Sequence, residues 1–423
     1  MTTPLNEQLN YRDNQLHLES CSLSSVAEQV ATPFYCYSKA RILQNTARCQ
    51  AAFSAHDIGI HYAMKANSNL HILHLISSQG LGVDTVSAGE IQRAIAAGIA
   101  AEKIIFSGVG KSAAEIRLAL DTGIGQFNVE SAEELALLST LAQTSTRPVR
   151  VALRVNPDVT VNTHRHITTG TRGNKFGMPP EQALQLFRDY ADHACLNLCG
   201  LAMHIGSQIC EAAPYRQAVS RLLALTKTLK AEGVHIRCLD LGGGFGIDYG
   251  NGSSLSFSEV AQVIADTIHT EAPDYDGKVV VEPGRSLVAD AGVLVTRVNF
   301  VKEAEPRPFL ILDAAMNDLM RPALYQAVHP LLTVSYADNR VQRQFDVVGP
   351  VCESTDTFAR DYPVSEDIQA GDLMAFLCAG AYCSVMSNSY NSREIPAEVL
   401  VDENTVQVIR RRISQEELMA FED

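Results

Sequence analysis

Hydrophobic and polar positions along this chain fall into two regimes that divide near residue 290. From about residue 38 to 285, short apolar runs alternate with longer segments whose apolar residues recur at three- and four-residue spacing. The runs are Ile58–Met64, Gly82–Val86, Lys103–Ser107, Gln126–Val129, Val149–Val155, Leu198–His204, Ile236–Leu241 and Val279–Glu282. Each predicts a short buried strand, whereas Ala88–Ala97, Ala113–Leu120, Ala132–Leu141, Pro180–Ala191 and Ala212–Glu232 have the period of amphipathic helices. Strand–helix alternation implies a parallel sheet with crossover helices. About eight such units in some 250 residues is the size of a (β/α)8 barrel, and a doubly wound open sheet normally needs fewer strands. The expected fold class is therefore α/β, a TIM-type barrel.

Beyond residue 290 the period changes. Val293–Val301, Pro308–Leu312, Gln344–Val348, Asp372–Leu377 and Thr405–Ile409 predict strands joined by turns, with few long helices. Leu16–Leu18 and Phe34–Tyr37 near the start are also extended in pattern. The expectation is a β-rich C-terminal domain, residues 289–423, that takes in an N-terminal segment, residues 1–37. The barrel then occupies residues 38–288.

Composition adds limits. A chain of 423 residues, 46% hydrophobic and 19% charged, is globular in character. At that size it buries about three quarters of its unfolded surface and needs no covalent staples. The formal net charge of -14 counts against nucleic acid as a partner, although it leaves the charge of any one cleft open. The ten cysteines include no C-x-x-C pair and read as small buried hydrophobes. No apolar run approaches the roughly 18 residues of a membrane span. The opening Met-Thr-Thr-Pro shows no apolar signal segment. A soluble, cytoplasmic protein is expected, with no membrane partner.

In a barrel of this kind, chemistry sits at the C-terminal ends of the strands. Lys65 closes the first apolar run, and desolvation at a barrel mouth would make its amine a nucleophile; a solvated strand end is the plainer reading. Leu239-Asp240-Leu241 runs into Gly242-Gly243-Gly244, where backbone N–H groups can close on a phosphate. A tight turn is the alternative, and the spacing is not that of a dinucleotide fingerprint. Glu282-Pro283-Gly284-Arg285 ends the eighth run. The two glycine loops thus follow the seventh and eighth strands, where barrels often hold phosphate. A carboxylate at Glu282 could keep a pyridine nitrogen protonated, or form a surface ion pair instead. His204 ends the sixth run, where an imidazole could stack on a flat cofactor and the Ser207 hydroxyl could bond a phosphate.

Taken together, the strings Tyr62-Ala63-Met64-Lys65-Ala66-Asn67, Gly82-Val83-Asp84-Thr85-Val86-Ser87-Ala88-Gly89-Glu90, Lys175-Phe176-Gly177, His204-Ile205-Gly206-Ser207-Gln208, Gly242-Gly243-Gly244 and Glu282-Pro283-Gly284-Arg285 resemble the fold-type III pyridoxal-phosphate (PLP) decarboxylases. Met316-Asn317-Asp318 through Arg321 and Tyr325, Cys352-Glu353-Ser354 and Gly380-Ala381-Tyr382 are similar to the diaminopimelate decarboxylases within that group. The resemblance runs from about residue 30 almost to the C-terminus. It implies PLP as cofactor, no metal, and decarboxylation of meso-2,6-diaminopimelate to L-lysine and CO2, the last step of lysine biosynthesis. By motif, Lys65 would carry PLP, His204 would stack on its ring, and Glu282 would pair with its nitrogen. Ser207, Gly242, Gly243, Gly244, Gly284, Arg285 and Tyr382 would hold the phosphate. Arg285, Arg321, Tyr325, Glu353 and Tyr382 would bind the far end of the substrate. Cys352 would be the general acid, with the Cys352-Glu353 loop completing the site of the other subunit in a homodimer. Ala315, Phe245 and Cys383 depart from the usual residues of that family without removing a chemical group. The alternatives are a related PLP decarboxylase acting on ornithine, arginine or carboxynorspermidine, and a non-catalytic PLP-binding homologue.

Overall fold

The computed structural model describes residues 6–159, 174–336 and 340–422. At the N-terminus, β1 (Leu9–Arg12), β2 (Gln15–Leu18) and β3 (Cys21–Ser22) form a small antiparallel sheet. Asp13 and Asn14, the two residues between β1 and β2, both have positive φ. That is the hairpin turn whose twist matches its strands, and Asp and Asn tolerate it well.

The eight apolar runs become β5 (Ile58–Ala63), β6 (Gly82–Thr85), β7 (Ile104–Phe106), β8 (Gln126–Val129), β9 (Val149–Arg154), β10 (Leu196–Ala202), β11 (Cys238–Asp240) and β12 (Lys278–Val281), after β4 (Phe34–Ser38) of the other unit. They pair in parallel and in sequence order, and the pairing of Val279 with Ile58 closes the barrel. Four of the surrounding helices begin with the same local code. Ser87, Ser112, Ser131 and Ser256 each cap a helix by accepting from the N–H of a glutamate three residues on, at Glu90, Glu115, Glu134 and Glu259. Each such cap contributes about 1 kcal/mol and fixes where its helix leaves the barrel rim. Because inward positions alternate along a strand, Ile105, Cys238 and Val280 share one buried apolar cluster. The next inward positions toward the C-terminal rim are Ser107, Asp240 and Glu282, and these are polar.

This barrel unit comprises residues 46–247 and 254–286; the second unit takes residues up to Asn45, the segment Asp248–Ser253, and everything from Leu287 onward. Besides β1, β2 and β3, its strands are β4, β13 (Gly292–Lys302), β14 (Phe309–Leu312), β15 (Leu331–Thr333), β16 (Gln342–Val348), β17 (Thr357–Ser365), β18 (Leu373–Phe376), β19 (Ala397–Asp402) and β20 (Thr405–Arg410). They form a nine-stranded sheet ordered β17-β16-β14-β13-β4-β19-β20, with β18 against β13 and β15 against β18. The N-terminal strand β4 therefore lies in the middle of a sheet built mostly from the C-terminal third. Tyr35 and Tyr37 on β4 are fully buried, and the Tyr37 hydroxyl donates to Glu398 on β19 at 2.5 Å. Arg410 on β20 pairs with the same carboxylate at 3.0 Å, so the buried charge is compensated. No helix among the described residues is long and apolar enough to cross a membrane.

Candidate active site

Four adjacent strands, β10, β11, β12 and β5, end at one rim of the barrel and carry most of the residues singled out above. β5 runs into a helical turn, Met64–Ala66, that presents Lys65. Its Nζ lies 3.4 Å from Oδ2 of Asp84 on the neighbouring strand, and Asp84 is buried. Gly284 in the loop after β12 packs against this turn. A Cβ there would sit 3.1 Å from the Cβ atoms of both Ala63 and Ala66. Pro283 O accepts from Ala63 N–H at 3.0 Å, so the Glu282–Arg285 loop and the lysine turn are locked together.

Beside Lys65 the rim is acidic. Asp240 and Glu282 are 1% and 7% exposed, and their carboxyl groups are hydrogen-bonded to each other. Asp240 also accepts from Asn128 Nδ2 at 2.8 Å and from Gly242 N–H at 3.1 Å. Asn128 is held in turn by Gln126 and Ser107, at 2.9 and 3.0 Å. Burial raises Glu282 well above the ordinary carboxyl range, Asp240 and Asp84 add to the rise, and Lys65 opposes it. Burial also raises Asp240, against hydrogen bonds from Glu282, Asn128 and Gly242 that favour its anion. Glu282 Oε1 is buried with no partner among the described residues.

The loop after β11 follows from its glycines. Gly242 and Gly244 have φ of +65° and +96°, a region where a side chain is strained. A Cβ on Gly243 would lie 2.0 Å from the carbonyl oxygen of Glu282, and one on Gly244 would lie 2.3 Å from that of Gly206. Phe245 then anchors the loop in an aromatic cluster with Phe53, Tyr215 and Phe257, which accounts for the bulky residue there. The Gly243 N–H donates to Nδ1 of His204 at 3.2 Å. The imidazole is therefore neutral, with its proton on Nε2. Burial drives its pKa well below the usual histidine value, and the positive charges of Lys65 and Arg154 act in the same direction. Arg285 Nη2 donates to the Ser207 hydroxyl at 2.8 Å, joining the loops after β10 and β12.

These features fit a planar, phosphorylated pyridine. The unpartnered Glu282 Oε1 suits a ring N–H, and the side-chain-free glycine loop with Ser207 and Arg285 suits a phosphate. Lys65, His204, Ser207, Gly242–Gly244, Glu282, Gly284 and Arg285 thus share one rim.

The remaining predicted residues lie in the second unit. Arg321 and Tyr325 begin and end one short helix, with Arg321 buried and Tyr325 half-buried. Arg321 Nη1 contacts His329 Nε2 at 2.7 Å and the Tyr249 hydroxyl at 3.1 Å. Tyr382 has a φ of +56° and follows Gly380, where a Cβ would meet the Val288 carbonyl oxygen at 1.9 Å. Cys352 is exposed, and its N–H donates to Asn391 at 2.9 Å. Glu353 accepts from the Tyr390 hydroxyl at 2.6 Å. Among the described residues no hydrogen bond joins Cys352 or Glu353 to Arg321 or Tyr325.

Sequence reasoning missed Asn128, Asp240, Tyr249 and His329 as site components. Two of them left a signal: Gln126 and Asn128 are polar at alternate, inward positions of an apolar strand, and Asp240 interrupts Leu239-Asp240-Leu241.

Comparison with known proteins bears on this geometry. The family model described as "Pyridoxal-dependent decarboxylase, pyridoxal binding domain" matches residues 39–289. The chain is similar to the diaminopimelate decarboxylase of Zymomonas mobilis, 42% identical over 414 residues and covering 97% of each chain. It superposes on the diaminopimelate decarboxylase of Helicobacter pylori complexed with L-lysine at a TM-score of 0.89, with 39% identity, covering 94% of this chain and 98% of that one. The m. jannaschii enzyme in co-complex with L-lysine gives a TM-score of 0.93 at 33% identity, covering 99% and 98%.

Proposed function

The chain belongs to the diaminopimelate decarboxylases, within the pyridoxal-dependent decarboxylases, and from that membership we propose that it converts meso-2,6-diaminopimelate to L-lysine and CO2, acting at the D-centre. The observation that carries the reading is the convergence of Lys65, the unpartnered Glu282 oxygen and the glycine loop on one barrel rim.

When bound, PLP takes up the electron pair released as the carboxylate departs as CO2. Every other role belongs to the chain. The Lys65 amine, at the barrel rim beside Asp84, would hold the cofactor. Glu282, backed by Asp240, would face the ring nitrogen, where its carboxylate would favour the protonated ring. His204, neutral and held by Gly243, offers a flat uncharged face to the ring. Arg285, the Ser207 and Tyr382 hydroxyls and the Gly244 N–H would hold the phosphate, the Gly242 and Gly243 N–H groups being engaged by Asp240 and His204.

Arg321, with Arg285, Tyr325, Glu353 and Tyr382, receives the end of the substrate that keeps its carboxylate. An arginine pairs with carboxylate through two parallel hydrogen bonds. Ornithine lacks that carboxylate and would strand buried donors, at about 1–3 kcal/mol each. Cys352 Sγ gives the proton that replaces CO2 on Cα. Its exposure supports a site completed by a second copy of the chain, as do the exposed apolar side chains of Leu324, Val328, Val385 and Tyr390 in the same unit.

A coupled assay for lysine, run with and without added PLP, tests the proposal. Release of CO2 from ornithine but not from meso-diaminopimelate would overturn the substrate. Cys352→Ala should slow turnover while PLP stays bound, and unchanged turnover removes Cys352 from the chemistry.

A further inference from the structure

Arg321 is only 6% exposed, and its orientation has an identifiable cause. Beside it lies His329, 4% exposed, and each of its ring nitrogens has a polar contact. Nδ1 is 2.9 Å from the carbonyl oxygen of Leu377, and Nε2 is 2.7 Å from Arg321 Nη1. A carbonyl only accepts, so Nδ1 carries the hydrogen; a guanidinium only donates, so Nε2 carries the lone pair. The two partners leave His329 a single state, neutral with the proton on Nδ1.

Tyr249 completes the arrangement. Its hydroxyl accepts from the same Nη1 at 3.1 Å, its ring centroid lies 5.1 Å from the guanidinium carbon, and its ring meets the His329 ring edge-on at 81°. Both N–H groups of Nη1 are consumed by these two acceptors. Among the described residues neither Nε nor Nη2 of Arg321 donates a hydrogen bond. The Nε–Nη2 edge is one of the faces on which a guanidinium grips a carboxylate with two parallel bonds.

We propose that His329 is a positioning residue for substrate selection: its neutral Nε2, with the Tyr249 hydroxyl, occupies Nη1 and turns the Nε–Nη2 edge of Arg321 toward the retained carboxylate. The inference rests on the reading that Arg321 binds that carboxylate, and it adds what aims the guanidinium and which edge it offers. Loss of the acceptor at position 329 frees the guanidinium to rotate, so binding of the distal carboxylate weakens while the barrel rim and its cofactor are untouched.

The test is steady-state kinetics on the full-length, PLP-loaded protein. His329→Leu should raise KM for meso-diaminopimelate about tenfold, because a hydrogen bond to a charged group is lost. It should leave kcat within about threefold and PLP affinity unchanged, and it should raise the inhibition constant of lysine, which keeps the same carboxylate, in parallel with KM. His329→Gln restores a neutral acceptor and should recover most of the loss. In an Arg321→Ala background, His329→Leu should add nothing further to KM. Should His329→Leu not accumulate in folded form, Tyr249→Phe removes the other acceptor alone and should raise KM by a smaller factor, again only when Arg321 is present.

An unaltered KM in His329→Leu, or a loss of PLP affinity in step with KM, overturns the positioning role. If Arg321→Ala itself leaves KM unchanged, the proposed distal pocket fails as well. If Arg321→Ala raises KM and His329→Leu does not, only the role of His329 fails.

Discussion

Replacing Gly243 with alanine puts a methyl group where two stretches of backbone already touch. The added carbon would lie 2.0 Å from the Glu282 carbonyl oxygen and 2.8 Å from its carbonyl carbon. Ordinary contact begins near 3.4 Å, so the two segments must part by about 1.4 Å (3.4 − 2.0). No rotamer change relieves the clash, because the opposing atoms are main chain. Glu282 N–H is moreover bound to Gly242 O at 2.8 Å. The residue that moves also donates its N–H to His204 and accepts at its carbonyl from the Tyr215 hydroxyl, at 3.2 and 3.0 Å.

Overpacking of this kind costs about 1–3 kcal/mol of stability, and displacing a reacting group by about 1 Å can cost on the order of 10²-fold in rate. Gly243→Ala should therefore weaken PLP binding more than about tenfold and lower kcat on the order of 100-fold. A cofactor titration followed by absorbance and the coupled lysine assay read the two effects. Gly89→Ala supplies the comparison. That glycine is exposed in a helix, with only Ser87 Oγ within reach at 3.8 Å. Its replacement should be neutral or stabilise by about 0.5–1 kcal/mol. If Gly243→Ala kept PLP affinity and kcat within twofold of wild type, the loop would not be positioning Glu282 and His204.

Three further outcomes follow from buried charge. Burial lowers His61 on β5 to a pKa of about 4, with Lys103 and Lys278 adding to the fall and Asp84 opposing it. Its contribution is full above the unfolded value of about 6.5 and is lost as pH falls toward 4, a swing of about 3 kcal/mol. His61→Asn should flatten the difference in urea midpoint between pH 7.5 and 4.5, and an unchanged difference would place the acid lability elsewhere. Glu282 is raised instead, so cofactor-free protein should lose stability as pH rises above the ordinary carboxyl range; Glu282→Gln should reduce that slope in melting scans run upward from there. Lys111 is almost fully buried, with Glu134 at 2.7 Å and the carbonyls of Gly108 and Asn128 at 2.8 Å. Lys111→Met strands all three acceptors and should cost about 3–5 kcal/mol in denaturant titration; a loss under about 1 kcal/mol would show the pair to be solvated.

The barrel was legible because its strands are buried on both sides and read as continuous apolar runs; all eight runs became strands within a few residues of the expected bounds. The second unit was harder to read. Thr357–Ser365, which contains Arg360-Asp361 and Pro363, is not among the expected strands, yet it forms β17 at the edge of the sheet, where a missing N–H is tolerated. Ala397–Asp402 carries Glu398, which in sequence suggests an exposed position. In the fold that carboxylate is buried between Tyr37 and Arg410, residues more than 350 positions and 12 positions away. For the site, strand-end residues could be found because barrel geometry says where to look. His329 could not, since its relation to Arg321 depends on the Leu377 carbonyl and on Tyr249, far apart in the chain.

The acidic rim explains why the barrel carries its chemistry on an apolar floor. Asp84, Asp240 and Glu282 are three buried carboxyls beside one lysine, an arrangement that costs free energy in a low-dielectric interior. Asp240 is compensated by Asn128 and Gly242, but Asp84 Oδ1 and Glu282 Oε1 have no partner among the described residues. A buried acceptor left unmatched costs about 1–3 kcal/mol. A ring N–H at Glu282 would remove one of these costs, and a ligand that supplies it stabilises the folded chain in proportion to the logarithm of its concentration over Kd. On the proposed reading, cofactor affinity is drawn in part from a polar group that the fold holds in place and leaves unsatisfied. The layer of Ile105, Cys238 and Val280 next to it keeps the barrel packed while it waits.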